Sequence, residues 1–126
     1  MSLKKIQTND APAPGGSYSQ GLRVGQFFFT AGLGPISPET GAIVGSRIEE
    51  QTRQTMNNLQ AILEAANLKF SNVVKTTVHL QNLTEDFRGF DQIYRQYFSD
   101  PFPVRTTVGS NLNGFLVEID LVALTD

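Results

Sequence analysis

The chain carries 126 residues, a formal net charge of −2, one histidine and no cysteine. Its length and 40% hydrophobic share describe one globular domain over residues 1–126 and exclude disorder. The missing cysteines exclude disulfides, thiolate nucleophiles and cysteine-held zinc, and a single histidine excludes a histidine-built metal cluster.

The chain opens with "MSLKKIQTND", whose lysines precede no apolar core and so do not read as a secretory signal. No later run approaches the roughly twenty apolar residues of a membrane span. The mild acidity argues against a nucleic-acid partner held through its phosphates. A cytoplasmic protein without a cofactor is expected. "APAPGG", Ala11 to Gly16, marks an irregular leading loop. Gly25-Gln26 separates two strand-like runs, which predicts a hairpin. Phe27-Phe28-Phe29 suggests a strand covered on both faces. "SPETG" is turn chemistry. A helix follows, with Ser46 and Glu49 at capping-box spacing. Ile48, Thr52, Met56, Leu59, Leu63 and Ala66 form its inward stripe, and Asn67 a left-handed cap. "SNVVKTTVHLQNL" predicts a strand with Val74, Thr76, Val78 and Leu80 on one face and Val73, Lys75, Thr77 and His79 on the other. A second helix is expected from Thr84, with Phe87, Phe90, Tyr94, Tyr97 and Phe98 as an aromatic stripe until "SDPFP" ends it. Strands over Val104–Val108 and Phe115–Leu124 close the chain. The fold class is α+β, a mixed sheet of about six strands with two helices on one face. Its second face is a candidate for subunit contact.

Few residues carry chemistry. Glu118 and Asp120 share a strand face, roughly 7 Å apart, within the separation of an inverting carboxylate pair. No sugar-binding cleft is marked around them, and Asp120 reads as an acid on a solvated or inter-subunit face. "AGLGP", Ala31 to Pro35, lacks the third glycine of a dinucleotide loop, but its exposed N–H groups suit a small anion. His79 reads as a strand histidine and Tyr18 as a half-buried ring or a pocket wall. In "FPVRTTV", Arg105 is suited to a planar, bidentate grip on a carboxylate.

Taken together, "GSYSQGLRVGQFFFTAG", "SPETGAIVG", "IEEQTRQTMNNLQAILEAA", "VVKTTVHLQNLTEDF", "PVRTTV" and "VEID" resemble the RidA/YjgF family, also called L-PSP. The resemblance spans nearly the whole chain. It implies a chorismate-mutase-like fold and a homotrimer with three pockets between subunits. It also implies hydrolysis of 2-imino and 2-enamino acids to 2-keto acids and ammonia, with no metal or organic cofactor. Arg105 matches the carboxylate-binding arginine, and Glu118 the acid that positions or activates water. Tyr18 matches the pocket tyrosine and Gly32 the glycine whose N–H lines the anion site. Thr107 stands where many members have cysteine, Ala31 where the archetype has serine, and Asp91 where asparagine is common. The loop "SNLNG" is also shorter. Two alternatives accompany this reading: a non-catalytic 2-keto acid binder or chaperone-like trimer, and an endoribonuclease, for which the charge gives least support.

Overall fold

A computed structural model describes residues 3–125 of the chain, so the ends of the 1–126 span lie outside it. Six strands and two long helices follow one another as β1 (Leu3–Ile6), β2 (Gly21–Val24), β3 (Phe27–Thr30), α1 (Ile48–Ala65), β4 (Val73–Leu80), α2 (Leu83–Tyr94), β5 (Val104–Gly109) and β6 (Val117–Leu124). They form one sheet in the order β1-β2-β3-β6-β4-β5, with β4 and β5 parallel and every other pair antiparallel. β1 is an addition to the elements predicted one by one. Its "LKKI" is too short and too charged to stand out, and those traits suit an edge strand.

The connections explain the layering. From β3 the chain crosses through α1 to β4, and from β4 through α2 to β5, moving the same way along the sheet each time. Crossovers of one hand that move in one direction put their helices on one face. β6 then returns antiparallel between β3 and β4. Phe28, Val78, Leu80, Ile119 and Leu121 from the sheet are buried against Met56, Leu59, Ile62 and Leu63 of α1 and Phe90 and Tyr94 of α2.

Several local expectations shift. Phe28 alone of the three phenylalanines is buried, whereas Phe27 and Phe29 are 48% and 41% exposed, because helices cover only one face. In β4 a bulge between Val73 and Lys75 reverses the alternation, so Val73 is buried and Val74 exposed, while Thr76, Val78 and Leu80 point inward as the pattern requires. Helix α1 begins at Ile48, one residue past the predicted capping box, so Glu50 rather than Glu49 reaches back: its Oε1 accepts from Ser46 N and Arg47 N, both at 3.1 Å. Asn67 does take the left-handed conformation at the helix end, with φ of 61°. The Gly25-Gln26 hairpin forms with Val24 opposite Phe27 and Gly25 at φ of 60°.

The uncovered face is divided. Val24, Phe27 and Leu124 lie in one row across the strands, and Leu22, Phe29 and Val122 in the next. Further along β6, Asp120 pairs with Thr77 and Glu118 with His79. An apolar end thus adjoins a polar end.

Candidate functional site

The loop after β3 returns to the sheet through a bridge with β6: Leu33 N–H donates to Ile119 O at 2.9 Å, and Ile119 N–H to Leu33 O at 3.0 Å. This lays Gly32 against the side chain of Glu118. A Cβ at position 32 would stand 2.6 Å from Glu118 Oε2, so only glycine admits the carboxylate at this distance. Ala31 N–H is engaged by Gln20 O at 2.9 Å, whereas Gly32 N–H donates to no acceptor among the described residues. The half-buried Glu118 carboxylate likewise has no hydrogen-bond or ion-pair partner among them. Tyr18, 53% exposed, folds back so that its hydroxyl accepts from Gly15 N–H at 3.0 Å. Pro12, Tyr18, Gly32, Ile36, Phe115 and Glu118 line a cleft of about 450 Å³.

Three buried amides, which the sequence reading passed over, hold this cleft's loops. Gln20 Nε2 donates to Thr8 O and Pro12 O at 3.1 and 2.8 Å, and its Oε1 accepts from Thr8 N–H at 2.8 Å. Asn58 Nδ2 donates to Gly34 O at 3.0 Å and Ile36 O at 2.9 Å. Gln51 spans Gly45 O and Leu116 N–H at 3.0 and 2.7 Å. The signal was available on α1: Gln51 and Asn58 sit on its inward stripe, where a polar side chain survives only with partners.

Arg105 lies elsewhere. Its Nη1 donates to Asp91 Oδ1 at 2.7 Å, and its side chain is 22% exposed. The guanidinium carbon stands 4.8 Å from the ring centre of Tyr94, 5.4 Å from Phe90 and 5.5 Å from Phe87, so α2's aromatic stripe serves partly as a cationic cradle. Tyr94 is fixed by a 2.8 Å hydroxyl contact with Thr76, and burial pushes its pKa above the usual tyrosine range, so it stays protonated. Asp91, Tyr94, Arg95, Phe102, Pro103 and Arg105 line a second cavity of about 340 Å³. Thr107 is half-buried two residues beyond Arg105 and lines neither cavity.

Strand pairing fixes how these groups relate. Thr76 and Val78 are buried beneath the helices, and their β5 partners are Arg105 and Thr107. The intervening residues point the opposite way, and His79 among them is paired with Glu118. Arg105 and Glu118 of one chain therefore lie on opposite faces of the sheet. Tyr18, Gly32 and Glu118 come together, and Arg105 does not join them. The Glu118/Asp120 spacing makes no carboxylate pair in a cleft, since Asp120 lines neither cavity. Burial raises the Asp120 pKa above the usual carboxylate range, against the opposing pull of His79 and Lys75. His79 Nδ1 contacts Ser110 Oγ at 2.7 Å. No helix among the described residues is long and apolar enough to cross a membrane.

Known proteins match this arrangement along its length. The family described as Endoribonuclease L-PSP matches residues 8–125. A RutC family protein of Pyrococcus abyssi is 43% identical over 125 residues, 98% of each chain. The chloroplastic Reactive Intermediate Deaminase A of Arabidopsis thaliana is 41% identical over 108 residues, which cover 84% of this chain and 57% of that one. The solved structure of Escherichia coli TdcF with bound serine superposes with a TM-score of 0.89 at 33% identity, covering 98% of this chain and 99% of that one. On both sequence and fold, the chain belongs to the RidA/YjgF family, the family of the L-PSP proteins.

Proposed function

We propose that the protein hydrolyses reactive 2-imino and 2-enamino acids to 2-keto acids and ammonia, at sites shared between the subunits of a homotrimer. The observation that carries this reading is the opposed placement of Arg105 and Glu118. A small 2-imino acid cannot touch both within one chain. If the uncovered sheet face packs on its neighbours, the Glu118 cleft of one chain can meet the Arg105 cavity of the next. The exposed Phe27, Phe29 and Leu124 give that packing an apolar surface to bury. A family that contains a reactive intermediate deaminase supports the chemistry.

Arg105 grips the substrate carboxylate. The protonated imine carbon is already electrophilic, so positioning supplies most of what the reaction needs. Glu118, with no competing partner among the described residues, orients a water towards that carbon and relays protons to the nitrogen. Gly32 N–H offers a donor at the same place, and Tyr18 closes the cleft. The balance is R–C(=NH2+)–COO− plus water giving R–CO–COO− plus NH4+.

The test is hybrid complementation. Arg105→Ala and Glu118→Gln should each abolish accelerated release of keto acid from freshly generated 2-iminopropionate. Unfolded together and refolded, the two should regain about one quarter of wild-type activity, since a randomly mixed ring pairs an intact arginine with an intact glutamate at that frequency. No recovery would mean that one chain supplies both groups, and the shared site would be abandoned.

A second reading, binding without turnover, is favoured by the Arg105–Asp91 pair, which already occupies part of the guanidinium. The same assay decides: keto acid that binds the wild type, with no accelerated imine hydrolysis, would support it.

A further inference from the structure

We infer that Asp91 makes the Arg105 cavity a receptor for zwitterions, selecting 2-iminio and 2-ammonio carboxylates over 2-keto acids. The inference rests on the reading of Arg105 as the carboxylate clamp and adds a partner for the other end of the ligand.

Asp91 Oδ1 takes Nη1 of Arg105 at 2.7 Å, while three aromatic rings hold the guanidinium plane. Among the described residues Nε and Nη2 meet no other acceptor than the neighbouring Tyr94 hydroxyl, so they can turn to a ligand carboxylate. Both residues line the same cavity of about 340 Å³, so a group on the carbon next to a bound carboxylate lies beside the Asp91 carboxylate. Among the described residues Asp91 Oδ2 pairs only with Arg95 Nη2, at 3.6 Å, and that arginine's side chain is 66% exposed. Such a contact is weak and easily displaced. A ligand cation can take its place.

The consequence concerns the direction of the reaction. Substrate enters as a cation–anion pair, with positive charge on nitrogen, and leaves as a keto acid whose carbonyl oxygen meets Asp91 with the wrong polarity. Asp91 attracts the first and repels the second, so it discriminates against product at no cost to substrate. An asparagine of the same shape would still accept from Arg105, through a weaker neutral hydrogen bond, but could not tell the two apart by charge.

The experiment is calorimetric titration of the intact protein with L-serine, a stable zwitterion, and with pyruvate. Wild type, Asp91→Asn and Arg105→Ala are compared, with Asp91→Ser as a second neutral variant should the amide disturb folding. In the neutral variants serine binding should weaken and pyruvate binding strengthen, moving their affinity ratio about tenfold, or about 1.4 kcal/mol. Pyruvate should also become the stronger product inhibitor. Arg105→Ala should lose both ligands. If the Asp91 variants change both affinities by one factor while Arg105→Ala abolishes them, the role of Asp91 falls and the clamp stands. If Arg105→Ala binds both normally, or the wild type binds neither, the clamp falls and the zwitterion receptor with it.

Discussion

At the level of single residues, the two acids of β6 separate by environment. Glu118 faces a cleft without a partner among the described residues, while Asp120, two residues on, is held neutral more readily by burial. The folded pKa of Asp120 lies above its unfolded value. Its contribution to stability is therefore greatest when protonated in both states and declines as pH rises from the unfolded pKa through the folded one. Asp120→Asn should raise the melting temperature at pH 7 and leave it unchanged near pH 3. A variant that melted below wild type at pH 7 would show that His79 and Lys75 outweigh the burial. The alternation of β6 placed both acids on one face from sequence alone. Periodicity could not show that only one would meet a loop, because that depends on the Leu33–Ile119 bridge, a contact between distant parts of the chain. The assignments of Arg105, Glu118, Tyr18 and Gly32 came from the resemblance. Without it, Arg105 was one arginine at a strand start.

At the level of elements, α1 has two tasks. Its apolar stripe packs on the sheet, and its buried amides hold the cleft. Asn58→Ala would leave the partly buried carbonyls of Gly34 and Ile36 without their donor and open space where the buried amide stood. Unmet buried groups cost about 1–3 kcal/mol each. Chemical denaturation should show a loss of about 2 kcal/mol or more, and catalysis should fall in the fraction that remains folded. An unchanged midpoint would mean that the loops need no such anchor. The helix itself was readable because 3.6-residue periodicity is a local property. Its start slipped by one residue: Ser46 and Glu49 carry the capping-box pattern, yet Arg47 takes the cap position and Glu50 reaches back. The β4 bulge was unreadable for the same reason: Val73 and Val74 are equally apolar, and the register is set by β6.

At the level of the whole molecule, the bare sheet face is the main unfinished surface. Phe29 lies on it beside Val122 and Leu22. Phe29→Glu should leave the chain folded, because the side chain is 41% exposed and lies outside the buried core, yet prevent assembly through burial of an unpaired charge. Light scattering should report monomer and imine hydrolysis should vanish together; a fully active monomer would remove the shared site. The mixed, two-helix layer followed from element order and connection rules. The one-sided covering followed too, once the direction of both crossovers was known.

The opposed faces of Arg105 and Glu118 have a genetic corollary. In the homotrimer we propose, every chain would lend its arginine to one site and its glutamate to another. A copy lacking only one group would silence a single site, and a copy lacking both would silence two of the three. Inheritance of damage in this protein would then be graded by which faces of the sheet are hit.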